Sequence, residues 1–145
     1  MLKERFKMQQ TLKTGEIIYY RPYVESDFYQ ITELNKEEGW NNLVEQEDNT
    51  RKAWKNSNIK FVVTLEGAVI GYIRGLTDEN ITLYICELLI KKEYRGYKIG
   101  SGLIKYVHEL YPNTRMELLA SSSSHTYYEN LNFRKFYGFR KTVKE

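Results

Sequence analysis

Residues 93–103 read EYRGYKIGSGL, and one arginine, one lysine and three glycines crowd the entrance to an apolar run with helical spacing. At a helix start the first backbone N–H groups lack intrahelical partners, and the dipole leaves partial positive charge there. Glycine lets a ligand approach that backbone closely, and Arg95 and Lys98 add charge. By physics the stretch is a pyrophosphate cradle. It is neither common nucleotide motif: Gly96 and Gly100 are present, but no Gly-Lys-Ser/Thr follows, and GxGxxG is absent. The plainer reading is a tight turn and helix entry. These residues alone leave both open.

Other chemistry-bearing residues are sparse. Cys86 is the single cysteine, so no intrachain disulfide and no cysteine-rich zinc site can form. His108 and His125 lack ligand-spaced partners, so no metal is expected. Residues 37–48, EEGWNNLVEQED, hold five acidic residues, no basic one, and Trp40. That stretch could draw a cation by charge and by the indole face, or be a solvated helix surface over a buried Trp. Thirteen tyrosines point to a ring-lined cleft or interface.

The elements that must position these residues follow from pattern. Residues 16–23, EIIYYRPY, predict a strand ending near Pro22. Ser26-Asp27 offers an N-cap to a helix carrying Phe28, Ile31 and Leu34 on one face. A weaker helical stretch runs from Leu43 to Lys55. Residues 59–75 are two β-branched runs joined at Glu66-Gly67, a hairpin signal, and 81–90 is a third, continuously apolar strand. A helix is predicted over Ile99–Leu110, with Leu103, Ile104, Val107 and Leu110 on one face and Pro112 just past its end. A strand over 114–120, a short helix within SSSSHTYYENL and an aromatic strand in FRKFYGFRKTV complete the chain. Alternation is partial, so the class is α/β (or α+β), a single domain with a mixed sheet. Its limits are set at 16–145, with 1–15 as an N-terminal extension.

LLIKKEYRGYKIGSGLIKYV resembles the acetyl-CoA-binding segment of the GNAT superfamily of N-acetyltransferases. Arg95 and Gly100 match the ends of that pattern; Lys98 stands where a glycine is expected. YYENLNFRK is similar to the family's FYxxxGF segment, with Asn132 in the glycine position. The resemblance spans about residues 16–140 and implies a GNAT-like fold whose central strand splays from its neighbour to hold the cofactor. Pantetheine would then bond the backbone of Leu88, Leu89 and Ile90. The pyrophosphate would meet the backbone of Arg95, Gly96, Tyr97, Lys98, Ile99, Gly100 and Ser101, with the Arg95 side chain either on phosphate or turned away into a surface ion pair.

The chemistry implied is attack of a neutral amine on the acetyl thioester of acetyl-CoA, with coenzyme A leaving as a thiolate. Tyr128 stands at the family's general-acid position; a tyrosine packing beneath the cofactor is the alternative, and Tyr127 is expected to do that packing. Glu87 is the nearest acidic candidate for a base, beside a water chain or an ion-pair role. Ser121 stands where relatives carry an asparagine, or simply belongs to a polar loop capping the next helix, and His125 is expected to face solvent.

At 145 residues, with 41% hydrophobic and 28% charged, the chain suits one soluble domain with a real core. A net charge of +3 without a basic block is too small to argue for nucleic acid, and no nucleic-acid partner is expected. No run approaches the eighteen or so apolar residues of a membrane span, and the first sixteen lack a signal-peptide pattern. The expectation is a cytoplasmic monomer or homodimer, an acetyl-CoA-dependent N-acetyltransferase of a small primary amine such as an amino acid or polyamine. A protein or peptide N-acetyltransferase and a catalytically silent acyl-CoA-binding module are the alternatives.

Overall fold

The computed structural model describes residues 8–144. Residues 1–7 of the expected N-terminal extension, and Glu145, lie outside them. The rest of that extension is part of the fold: β1 (Met8–Thr11) pairs antiparallel with β2 (Ile17–Pro22).

α1 (Phe28–Glu38) buries Phe28, Ile31 and Leu34, as the spacing predicts. It stops at Gly39, whose left-handed backbone (φ 79°) returns its N–H to the carbonyls of Asn35 and Lys36. Asp27 precedes the helix but does not cap it. Its carboxylate accepts the Val24 N–H at 2.9 Å and both terminal nitrogens of Arg21 at 2.8 Å. A short 3-10 turn over Glu25–Asp27 makes that backward reach the nearer one.

The expected helix over 43–55 is two helices, α2 (Asn41–Glu45) and α3 (Glu47–Asn56). The break at Gln46 (φ −95°, ψ 53°) re-aims the chain so that Trp54 becomes fully buried. β3 (Ile59–Leu65) and β4 (Ala68–Thr77) form the expected hairpin. Glu66 and Gly67 both take positive φ, 50° and 83°, as a two-residue turn of this hand requires. β5 (Thr82–Ile90) follows, then α4 (Ile99–Leu110), β6 (Arg115–Leu118) and α5 (His125–Asn130).

The aromatic strand expected after α5 is not there. Among the described residues none of 133–144 joins the sheet, and Phe136, Tyr137 and Phe139 are exposed. Aromatic β-propensity expresses packing against a neighbouring strand, and without a paired ladder it does not hold one.

The sheet runs β1-β2-β3-β4-β5-β6, antiparallel throughout except for the parallel β5/β6 pair that α4 bridges. One face packs Ile59, Phe61, Ile73, Leu83 and Ile85 against Leu103, Tyr106 and Val107 of α4. The other packs Val62, Tyr72 and Leu89 beneath α1 and Trp54. β5 touches both cores, and its far end becomes the site.

Candidate active site

Two irregularities expose the end of β5. The first is a bulge. Arg74 faces Glu87 across the β4/β5 ladder and Gly75 faces Ile85, so Cys86 is left over. One extra residue flips the side-chain alternation. Before the bulge Leu83 and Ile85 point to the α4 core; after it Leu88 and Ile90 do, and Leu89 joins the α1 core. Glu87 is thereby turned to the α1 side, the question that alternation alone could not answer.

The second is the loss of a neighbour. β6 pairs with β5 only from Thr82↔Arg115 to Ile85↔Leu118, while β5 runs on to Ile90. The Lys91 N–H bonds the Ile70 carbonyl on the β4 side, at 2.8 Å. By strand alternation the main-chain groups of Ile90 and Leu88 then point to the open edge, and those of Leu89 point to β4. Leu88, Leu89 and Ile90 thus lie together on the splayed strand, but two of the three offer backbone bonds outward.

The glycine turn follows directly. Lys92–Tyr94 forms a 3-10 turn, Gly96 takes φ 88°, and Lys98 takes φ 64°, ψ 21°. The lysine at the expected glycine position therefore adopts glycine's left-handed conformation, which a side chain disfavours. Lys98 is the N-cap of α4, and the Gly102 N–H is bonded to its carbonyl at 3.0 Å. The earlier N–H groups, on Ile99, Gly100 and Ser101, are the ones helix geometry leaves without an intrahelical partner. Gly100 is buried, and a Cβ there would lie 2.7 Å from the Tyr127 hydroxyl and 3.6 Å from Ile90. This buried glycine backbone at the helix start follows directly on the open edge of β5.

Arg95 takes the second of its two expected positions. Its Nε donates to the Ile90 carbonyl at 2.8 Å, and its Nη2 pairs with Glu38 at the end of α1. Glu87 is also engaged. Arg74 grips it bidentately, Nε to Oε1 at 2.7 Å and Nη2 to Oε2 at 2.5 Å, with both side chains about 15% exposed (14% and 15%). Arg74 Nη1 further donates to the Ser57 hydroxyl at 3.1 Å. Burial opposes the Arg74 charge, but the hydrogen bond and charge of Glu87 hold its pKa above the ordinary value. Close by, the Tyr72 hydroxyl donates to Asn35 at 2.5 Å, and burial first, then the Glu87 charge, keeps that phenol neutral.

α5 carries the tyrosines. The Tyr128 ring packs edge-on against Tyr127 and Phe133, centroids 5.1 and 5.6 Å away, and joins the α4 core. Burial, and secondarily Tyr127, pushes its pKa up to about 12. The Tyr127 ring is exposed while its hydroxyl reaches the first turn of α4, and of the two rings it is Tyr128 that packs into the core. Asn132 takes φ 69°, again a left-handed backbone where the family has glycine. Ser124 precedes α5, yet its hydroxyl accepts the Ser121 N–H at 3.0 Å and does not cap the helix. His125 is exposed and bonds Glu129 at 2.8 Å.

The acidic stretch divides. Glu38 holds Arg95, Trp40 packs against the α1 core, and Glu45, Glu47 and Asp48 are solvent-facing or nearly so. Glu37 joins Glu16, Glu33 and Glu66 around a cavity of about 340 Å³ that Leu34, Val69, Lys91 and Tyr94 also line. Among the described residues no cluster of His, Cys, Asp or Glu is placed to hold a metal, and no helix is long and apolar enough to cross a membrane.

Residues 24–144 match the family model described as an acetyltransferase (GNAT) domain. The chain belongs to the GNAT family. Over 56 residues it is 39% identical to an uncharacterized N-acetyltransferase of Methanocaldococcus jannaschii, a match covering 39% of this chain and 35% of that one. The GNAT fold is shared with a GNAT family acetyltransferase from Streptococcus pneumoniae (TM-score 0.72, 18% identity, 88% of this chain and 98% of that one). It is shared too with an aminoglycoside acetyltransferase from an uncultured soil metagenomic sample, solved in complex with sisomicin (TM-score 0.62, 16% identity, 87% and 96% covered).

Sequence reasoning missed Arg74, Ser57, Tyr72 and Asn35. Arg74 meets Glu87 only because the bulge at Cys86 resets the register, and no local signal announces a bulge. Glu38 was inside a stretch already singled out, but nothing in that stretch distinguished it from Glu37.

Proposed function

We propose that this GNAT protein moves an acetyl group from acetyl-CoA to a primary amine of a small molecule, of the amino acid or polyamine class. One observation carries the reading: β5 loses its β6 partner after Ile85, runs on to Ile90 and delivers the chain to a helix start with free N–H groups. Acetyl-CoA, when bound, supplies the activated thioester. Leu88 and Ile90 offer it backbone bonds, and Gly96 through Ser101 offer the diphosphate their N–H groups and the α4 dipole.

Tyr128 donates a proton to the departing thiolate. Its pKa of about 12 keeps the hydroxyl protonated at neutral pH. Full transfer to a thiolate of pKa about 8.5 would be uphill by roughly 3.5 units, or about 4.8 kcal/mol. A thiolate formed away from water would be destabilised by burial too, and that narrows the difference. Deprotonation of the amine passes to water, because both oxygens of Glu87 are committed to Arg74. With water as the acceptor of the proton, the amine's own pKa sets the neutral fraction: a peptide-type α-amine of pKa near 8 is about one-tenth neutral at pH 7, and an alkylamine of pKa about 10.4, as in lysine, in only about one molecule in 2,500.

The acidic cavity beside α1 supports a cationic acceptor of small-molecule size. Aminoglycosides, polyamines, free amino acids and lysine peptides should be offered with acetyl-CoA while thiol release is followed. Free amines are expected to exceed peptides in kcat/KM by about tenfold, which is about 1.4 kcal/mol of discrimination. Turnover of peptides alone would make the acceptor a polypeptide. Tight binding of coenzyme A with no thiol release from any amine would leave a silent acyl-CoA-binding module.

A further inference from the structure

The Arg95 guanidinium stands at a crossing of the two halves of the site. Through Nε it covers the Ile90 carbonyl, one of the outward groups on the open edge of β5, and through Nη2 it neutralises Glu38. Glu38 is the last residue of α1, three positions after Asn35, which holds the Tyr72 hydroxyl, and one after Glu37, which lines the acidic cavity. Its charge is felt at the buried Tyr72 phenol, so this carboxylate belongs to the α1 side of the bulge and not to remote solvent.

Arg95 therefore has two claimants. It belongs to the loop whose N–H groups meet a diphosphate, and a phosphate dianion with several acceptor oxygens competes well with a single carboxylate oxygen. Movement of Arg95 onto phosphate would uncover the Ile90 carbonyl and leave Glu38 unneutralised, one residue along α1 from Glu37 of the acidic cavity. An ammonium group would then find a carboxylate that the empty protein keeps occupied.

We propose that the Arg95–Glu38 pair is a latch opened by the cofactor's phosphates, and that Glu38, once released, anchors the positive charge of the acceptor. The proposal rests on the acetyl-CoA reading above and assigns Glu38 as a specificity-determining residue and Arg95 as the switch. It orders the two ligands: phosphates first, cation second.

Calorimetry on the full chain tests it with three probes: coenzyme A, phosphate-free pantetheine, and spermidine as a polycation. Glu38→Gln keeps size and frees Arg95, so it should tighten coenzyme A about fivefold or more, as expected when a binding-competent state goes from minor to dominant. Pantetheine affinity should not move. In an Arg95→Gln background the same change should do nothing to coenzyme A. Saturating coenzyme A should raise wild-type affinity for spermidine by about fivefold, the reciprocal side of the same linkage, and should fail to do so in Glu38→Gln. Unchanged coenzyme A affinity in Glu38→Gln, an equal gain for pantetheine, or spermidine binding indifferent to coenzyme A overturns the latch while the acetyl-CoA reading stands. Failure of the wild type to bind coenzyme A at all would take down both.

Discussion

Glu87 is where a catalytic and a structural role can be separated by one substitution. Its carboxylate receives two charge-assisted bonds from Arg74, at 2.7 and 2.5 Å. Glu87→Gln keeps the side chain's volume and one acceptor but removes the charge that offsets a largely desolvated guanidinium. An exposed ion pair is worth about 0–1 kcal/mol, and losing one partner of a buried pair costs about 3–5 kcal/mol. With both side chains about 15% exposed, the pair lies between those limits, nearer the buried one. A loss of about 2–3 kcal/mol is expected, which for a domain of this size lowers Tm by roughly 6–9 °C. Arg74→Met should cost a similar amount, and the double variant should cost much less than the sum of the two. Thermal unfolding of the three variants, with acetyl-transfer kinetics from pH 6 to 9, provides the measurement. A deprotonating role carried by water predicts that Glu87→Gln retains kcat to within about tenfold once folded. An unchanged Tm with a kcat loss of a hundredfold or more would refute the ion-pair reasoning and make Glu87 the base.

Tyr128→Phe should lower kcat by roughly a hundredfold without changing acetyl-CoA affinity, and Tyr127→Phe should not; the reverse result would move the acid to Tyr127. Because burial lifts the folded Tyr128 pKa to about 12 from an ordinary value near 10, its proton stays bound across pH 6 to 9 and gives no limb to the rate profile there. The sign for stability follows: the contribution of the neutral phenol is complete below about pH 10 and is lost as pH rises toward 12, which urea titrations at pH 9 and 11 would reveal. Lys98→Gly removes the cost of a left-handed lysine (φ 64°) and should stabilise the fold by about 0.5–1 kcal/mol in urea melts, with coenzyme A binding retained; destabilisation would mean that the Lys98 side chain holds the turn.

What the residues determined unaided was mostly what short-range periodicity and turn chemistry control. Ile99–Leu110 is helical over the predicted span because its apolar spacing and its flanks agree. The Glu66-Gly67 turn closes the hairpin because two consecutive residues there accept positive φ. The helix start after Lys98 was legible for a similar reason, and a helix start exposes the same N–H groups wherever it occurs.

The rest depended on partners distant in the chain. The aromatic pattern of 133–143 looks like a strand, but a strand exists only when another edge completes its ladder, and among the described residues no edge does so. Which face Glu87 takes depended on one unpaired residue, Cys86, inserted by the β4/β5 register. Arg95 lies 57 positions from Glu38 and Arg74 lies 13 from Glu87, and each separation is crossed only by folding. Local sequence set where charges could sit along each element. Tertiary structure chose which charges neutralise each other, since a Coulomb partner is decided by distance in space and by how much water the fold leaves between the two groups.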